Sequence, residues 1–192
     1  MRILGISGSL RRQSHNTKLL RNVEELLPPD AEFEFWQDLK VVPPYDEEDD
    51  VEPAPPAVAT LKHAIAEADG ILFATPEYNS SVPGQLKNAL DWASRPAGKS
   101  PLRNKPVAVI GASTGAFGAV WAQAELRKVL AATGARVVDA EVAVGHADSR
   151  FDEEGRLVDE SFREELEETL DTLVDAITAR APAATAPAPV AA

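Results

Sequence analysis

Residues 70–93 read GILFATPEYNSSVPGQLKNALDWA, and the change of texture along them decides the fold. The stretch Gly70–Thr75 is a continuous apolar run, the pattern of a strand covered on both faces. Pro76 fixes φ immediately after it, a polar loop follows, and Pro83 opens a helix in which Leu86, Ala89, Leu90 and Ala93 share one face. Buried strand, polar turn and amphipathic helix make one α/β unit, and the unit recurs in both directions. Toward the N-terminus, Ile3, Leu4 and Ile6 form a short strand, then a polar loop at residues 7–16. Leu19, Leu20, Val23, Leu26 and Leu27 repeat at helical spacing until Pro28 and Pro29 end that helix. Glu32–Trp36 alternates charge with aromatic rings and reads as a less buried strand, and Val58, Leu61, Ile65 and Ala68 form another helical stripe. Toward the C-terminus, a buried strand at 107–110 precedes a helix at 120–130, and a fifth strand lies at 137–144. In the last helix Phe162, Leu166, Leu170, Leu173, Val174 and Ile177 share a face that Glu164, Glu165, Glu167, Glu168 and Asp171 avoid.

Five such alternations of strand and helix predict a doubly wound five-stranded parallel sheet with helices on both faces, a three-layer α/β/α architecture. Right-handed crossovers leave mainly a flavodoxin-like or a Rossmann-like strand order. In either, ligands sit beyond the carboxyl ends of the strands, at residues 7–16, 75–82 and 111–118, the loops richest in Gly, Ser, Thr and Asn.

The 192 residues suit one domain, expected over 1–178, with a Pro/Ala tail at 179–192 that has no periodicity and reads as disordered. With 19 basic and 31 acidic residues the net charge is −12, which opposes binding to a nucleic-acid backbone. Without cysteine there can be no disulfide, thiolate metal site or cysteine nucleophile. No apolar run is long enough to span a bilayer and no signal peptide is visible, so a cytoplasmic location is expected. The acidic run at 46–50 reads as a solvated loop rather than a cation site, and His15, His63 and His146 lack metal-ligand spacing.

The first loop has neither a dinucleotide fingerprint nor a P-loop ending. It is instead loaded with hydroxyls and arginines at the start of a helix, and residues 1–23 hold Arg2, Arg11, Arg12, Lys18 and Arg21 with no acid. That pattern favours a bound phosphate; the competing reading is a capped helix with Ser14 or Asn16 as N-cap. The second loop, stiffened by Pro76 and Pro83, can present backbone N–H groups to a flat ligand, or can be a plain turn. The third contains Gly111-Ala112-Ser113-Thr114-Gly115, a Gly-x-Ser-x-Gly match followed by Asp139 and His146 in hydrolase order. The chain is short for that fold and lacks an oxyanion-hole element, so Ser113, Thr114 and Gly115 are alternatively a third wall of one ligand site. Trp121 is a candidate for its rim.

Gly8-Ser9-Leu10-Arg11-Arg12-Gln13-Ser14-His15-Asn16, and above all residues 76–95 from Pro76-Glu77-Tyr78-Asn79 to Asp91-Trp92-Ala93-Ser94-Arg95, resemble the NADPH-dependent FMN reductase family, with its chromate, quinone and azo reductases. The resemblance implies a flavodoxin-like fold, non-covalent FMN and NAD(P)H as co-substrate. It implies FMN phosphate contacts from Ser9, Arg11, Ser14, Asn16 and Thr17, and a flavin ring bordered by Pro76, Glu77, Tyr78 and Asn79, largely through backbone groups. It places Ser113, with Thr114 and Gly115, on the other side of the flavin. The chain departs from many members at Ser80, where an aromatic residue is frequent, and at Gly118-Ala119-Val120-Trp121, where Gly-Gly-x-Arg is frequent. The expected activity is hydride transfer from NAD(P)H to flavin and on to a quinone, free flavin, azo compound or chromate. No catalytic side chain and no metal are required, and a homodimer or homotetramer is expected. The rival readings are a flavodoxin-type electron carrier and a serine hydrolase using Ser113.

Overall fold

The computed structural model describes residues 1–179. Five strands, β1 (Arg2–Ser7), β2 (Glu32–Trp36), β3 (Gly70–Thr75), β4 (Pro106–Ala112) and β5 (Arg136–Val144), form one parallel sheet in the order β2-β1-β3-β4-β5. That is the flavodoxin-like order. The helices are α1 (His15–Arg21), α2 (Pro56–Glu67), α3 (Gly84–Ala93), α4 (Val120–Ala132) and α5 (Glu160–Thr178).

Period-two side chains on the strands divide the core in two. Leu4, Ile6, Ile71, Phe73, Val107 and Val109 pack against α2, α3 and α4 through Leu61, Ile65, Leu86, Leu90, Leu126 and Leu130. Ile3, Leu72, Ile110, Val142 and Val144 face α1 and α5 through Leu19, Leu20, Leu166, Leu170 and Leu173. Every residue of β3 and β4 is buried, as an all-parallel sheet covered on both faces demands, while the edge strand β2 alternates exposed and half-buried positions before Trp36.

Helix α1 is shorter than its apolar periodicity predicts. It ends at Arg21 because Asn22 turns its amide to other work: Nδ2 donates to the carbonyls of Lys18 (2.8 Å) and Gly155 (2.9 Å), and Oδ1 accepts from the Leu157 N–H (2.8 Å). Val23, Leu26 and Leu27 stay apolar in the turns that follow, packed under α5 rather than on a continued helix. Pro83 is the N-cap of α3 rather than part of its first turn.

The polar stripe of α3 serves the long segment between β2 and α2. Gln85 donates to the carbonyls of Leu39 (2.9 Å) and Val42 (2.8 Å), and Asn88 and Trp92 both donate to Pro43 (2.8 and 2.9 Å). Buried carbonyls need such donors, and a helix supplies them at i, i+3 and i+7. In the acidic run that follows, Asp50 pairs with Arg95 (3.2 Å) and Lys62 (3.7 Å), and Glu47 pairs with Arg95 (3.5 Å). The tail expected at 179–192 lies, from residue 180 onward, outside the described residues.

Helix α5 starts at the N-cap Asp159, whose carboxylate accepts from the Ser161 hydroxyl (2.7 Å) and N–H (3.2 Å) and pairs with Arg150. The Ser161 hydroxyl, then the backbone N–H groups and Arg150, hold the Asp159 carboxyl below its ordinary 3.8. A native value below the unfolded one means the stabilisation is complete above that range and is lost as pH falls through it. Asp159→Ala should therefore lower the melting temperature at pH 7, with a deficit that shrinks steadily below about pH 4; a deficit unchanged at acid pH would refute the assignment.

Candidate functional site

Reversal of strand order between β1 and β3 opens a crevice at their carboxyl ends, and three loops meet there. In the first, Ser7 Oγ accepts from the Ser9 N–H (3.3 Å) and the Thr17 hydroxyl (3.0 Å), and Ser9 Oγ accepts from the Arg11 N–H (3.3 Å). The Arg11 guanidinium donates to the Gln13 carbonyl (2.7 Å), which bends the side chain back over its own loop. Ser14 is the N-cap of α1 and accepts from the Thr17 N–H (3.3 Å). The helix has only seven residues, so its dipole adds little; hydroxyls and Arg11 dominate the loop.

Asn16 is not the cap. It is 2% exposed, and its amide makes two 2.9 Å hydrogen bonds with Ala112, Nδ2 to the carbonyl and Oδ1 from the N–H. The first loop is thereby tied to the end of β4, over the intervening β3.

The second loop contains a two-residue turn. Tyr78 and Ser81 exchange backbone hydrogen bonds (3.1 and 3.2 Å) across Asn79 and Ser80, both left-handed at φ 53° and 60°. Glu77 leaves the loop to cap a helix. One carboxylate oxygen accepts from the N–H groups of Trp121 and Ala122, each at 3.1 Å, at the start of α4, where the N-cap Ala119 offers no side-chain acceptor. The second loop is thus fastened to the third.

In that third loop Ser113 Oγ accepts from the Gly115 N–H (3.1 Å), while the Ser113 N–H and carbonyl pair with Val144 and Ala147 (both 3.0 Å). Gly118 is left-handed (φ 55°), and a Cβ there would lie 2.1 Å from the Ala143 carbonyl carbon, so only glycine fits. Among the described residues no hydrogen bond joins Ser113 to His146, and Asp139 pairs with Arg127 (3.5 Å). The hydrolase order of residues does not assemble into a triad.

The three loops enclose a cavity of about 140 Å³ lined by Ser9, Arg11, Ser14, Asn16, Pro76, Glu77, Tyr78, Ser113 and Thr114. Thr17, Asn79 and Gly115, expected with them, stand outside its lining and act on the loops' shape. Two residues sequence reasoning missed also line it: Ala112, and His15. The His15 ring stacks on Phe151 (centroids 5.8 Å apart), its Nε2 lies 3.0 Å from Asp148 Oδ1, and its Nδ1 is buried without a partner. Its place inside a hydroxyl- and arginine-rich loop was the available signal. At the crevice mouth Tyr78, Phe117 and Trp121 are all about half exposed or more, and the last two meet edge to face at 5.1 Å. A larger groove, about 520 Å³, lies at the other end of α3 and α4, near Ser94 and Thr133, away from the strands' carboxyl ends.

One guanidinium and several hydroxyls lining a small half-open cleft fit a phosphate monoester, and the rigid loops beside it fit a flat ring. Residues 1–149 match the family model described as NADPH-dependent FMN reductase. The chain is 42% identical over 174 residues to an NAD(P)H-dependent FMN reductase of Pseudomonas aeruginosa, covering 90% of this chain and 93% of that protein. It is 42% identical over 172 residues to a 2-hydroxy-1,4-benzoquinone reductase of a Burkholderia species, covering 89% and 93%. A solved structure, the flavoenzyme NAD(P)H:(acceptor) oxidoreductase of Paracoccus denitrificans, superposes with a TM-score of 0.82 at 35% identity, covering 92% and 97% of the two chains.

The buried Asn16 amide gives a direct test of how the loops are held. Asn16→Ala strands both backbone groups of Ala112 and should cost roughly 2–4 kcal/mol of unfolding free energy, read from denaturant titration. Asn16→Asp, which keeps the acceptor but sets a buried carboxylate oxygen against the Ala112 carbonyl, should cost at least as much at pH 7.

Proposed function

The chain belongs to the NADPH-dependent FMN reductase family, and on that premise we propose that its three crevice loops hold FMN and that a small quinone is its electron acceptor. The protein is a flavin-dependent NAD(P)H oxidoreductase. Bound FMN would supply the hydride chemistry between the nicotinamide and the acceptor.

What remains for the chain is placement. Ser9, Arg11 and Ser14 receive the FMN phosphate, with the Arg11 charge opposing the phosphate's and the hydroxyls filling its remaining acceptor sites. Asn16 acts through Ala112, and Thr17 through Ser7, by fixing the loops. Pro76, Glu77, Tyr78 and Asn79 border the ring on one side through a backbone held by the Asn79-Ser80 turn and by the Glu77 cap on α4. Ser113, Thr114 and Gly115 border it on the other. Fixed N–H dipoles of this kind stabilise negative charge on a ring at no cost of reorganisation. The single observation that carries the reading is the convergence of a hydroxyl–arginine loop with two rigid, mutually fastened loops on one cavity at the switch point.

A quinone acceptor is supported by the exposed rings of Tyr78, Phe117 and Trp121 at the mouth, which suit a flat, weakly polar molecule, and by the benzoquinone reductase among the relatives. Free flavin, azo compounds and chromate are other small acceptors of the same reduced site. The same exposed rings suit contact with a second copy of the chain, so a homodimer or homotetramer is part of the proposal. No helix of the described residues is long and apolar enough to cross a membrane; a cytoplasmic location accords with the supply of NAD(P)H. An electron carrier is disfavoured because the relatives include an NAD(P)H-dependent FMN reductase and a flavoenzyme NAD(P)H:(acceptor) oxidoreductase.

The test is a visible spectrum of the protein with FMN before and after anaerobic NAD(P)H. The expected result is bound flavin that bleaches rapidly with the nicotinamide and recovers its colour on addition of benzoquinone. Bleaching by dithionite alone would indicate a carrier, and no bound flavin would overturn both readings. Ser113→Ala should weaken FMN by roughly tenfold, about one hydrogen bond, and leave turnover at saturating FMN. A serine-directed covalent probe should not label the protein.

A further inference from the structure

A second cavity, of about 280 Å³, lies on the other side of the first loop and shares Ser9 and Arg11 with the FMN site. Three further cations line it from three elements: Arg12 from the loop, Arg21 from the end of α1, and Lys40 from the 3-10 turn Asp38–Val41 after β2. None of the three has a carboxylate partner among the described residues, although acids outnumber bases 31 to 19 in the chain. Asp38, in the same turn as Lys40, does not line the cavity. Converging cations left unpaired in an acidic protein focus positive potential on one spot.

Trp36, at the end of β2, is a second and independent pointer. It is 7% exposed, lines the same cavity, and its indole N–H is buried with no acceptor. Buried donors are almost always paired, and this one has no acceptor in the wall that Trp36 shares with the cations. Phe35 and Leu10 add apolar wall. The donor set is that of an anion carried on a flat, partly apolar body.

We propose that this cavity is a second phosphate-monoester subsite, distinct from that of the FMN phosphate, and that it receives the 2′-phosphate of NADPH. The cavity adjoins the FMN-phosphate site through Ser9 and Arg11, and of the two nicotinamide co-substrates that must approach the flavin only NADPH carries a phosphate monoester. The same chemistry is present on a free FMN arriving as acceptor, so the measurement must separate the two. The proposal rests on the oxidoreductase reading for its ligand, and not for its existence as an anion site.

The FMN-loaded protein and its Arg12→Ala/Lys40→Ala and Arg21→Ala variants are titrated calorimetrically with 2′,5′-ADP and with 5′-AMP, which lacks the 2′-phosphate. Turnover is measured with NADPH and with NADH. In the double variant 2′,5′-ADP binding should weaken by about tenfold or more while 5′-AMP binding is unchanged, since charge-assisted contacts are the ones lost. The KM for NADPH should rise in step, with kcat and the KM for NADH unaltered; Arg21→Ala should give a smaller shift of the same sign. A raised KM for free FMN in NADH-driven turnover, with the nicotinamides and 2′,5′-ADP unaffected, would keep the phosphate subsite and assign it to the acceptor, overturning the NADPH assignment. Equal shifts for NADPH and NADH, or none for any ligand, would overturn the subsite. Loss of bound flavin colour in the variants would also overturn it, by assigning these cations to the FMN phosphate. The calorimetric arm works on flavin-free protein too, so failure of the flavin reading and failure of the subsite are separate results.

Discussion

The arrangement of the site depends on one buried amide. Asn16 completes the hydrogen bonding of Ala112 at the end of β4 as another strand would, and does so from a loop two strands away. Two hydrogen bonds in a dry environment contribute about 1–3 kcal/mol each through what their loss would leave unsatisfied. That is enough to hold the first and third loops in one arrangement. The second loop, which lies between them, is then fastened to the third by the Glu77 carboxylate on the N-terminus of α4. Both links use charge or polarity that a first reading assigns to ligand binding, and both leave backbone, hydroxyls and Arg11 to face the crevice.

The sheet was legible because burial on both faces leaves no choice of texture. Gly70–Thr75 and the run around Val107–Ile110 could be read as central strands without any partner in view, and the alternation with amphipathic helices implied a parallel sheet. The flavodoxin-like strand order, by contrast, came from the structure and from the family resemblance, since periodicity cannot tell neighbour from neighbour. The end of α1 could not be read either. Leu26 and Leu27 continue a helical spacing, and what stops the helix is Asn22 bonding to a segment more than 130 residues away. The same limit applies to Gln85, Asn88 and Trp92, whose carbonyl partners lie in the distant segment after β2. In the site, residue types announced the chemistry: hydroxyls, Arg11 and rigid prolines. Which of them touch the cavity and which shape its walls was set by tertiary partners.

The basic N-terminal segment shows how structure divides a signal that the sequence presents whole. Of its five cations, Arg2 pairs with Glu32 and Glu67 at the far end of β1, and Lys18 lies over the Phe151 ring. Arg11, Arg12 and Arg21 are left, and they surround two adjoining cavities rather than one. In an acidic chain, unpaired cations grouped on one loop and its neighbours concentrate attraction for phosphate at that place.

Of the five left-handed residues other than glycine among the described residues, Asn79 and Ser80 lie in the second loop and Ala119 follows the third, while Asn104 and His146 lie outside them. Such residues cost free energy and persist only where the surroundings over-determine them. Here the surroundings are explicit: the paired backbone of Tyr78 and Ser81 closes the first turn, and the Glu77 cap with the Gln123 amide on the Gly118 carbonyl (3.0 Å) closes the second. On the proposed reading the flavin carries the chemistry and the chain contributes geometry, and donors already fixed in place need not reorganise when a ring changes charge. In that reading the strained turns are positioning elements, whose side chains need not touch the reacting atoms.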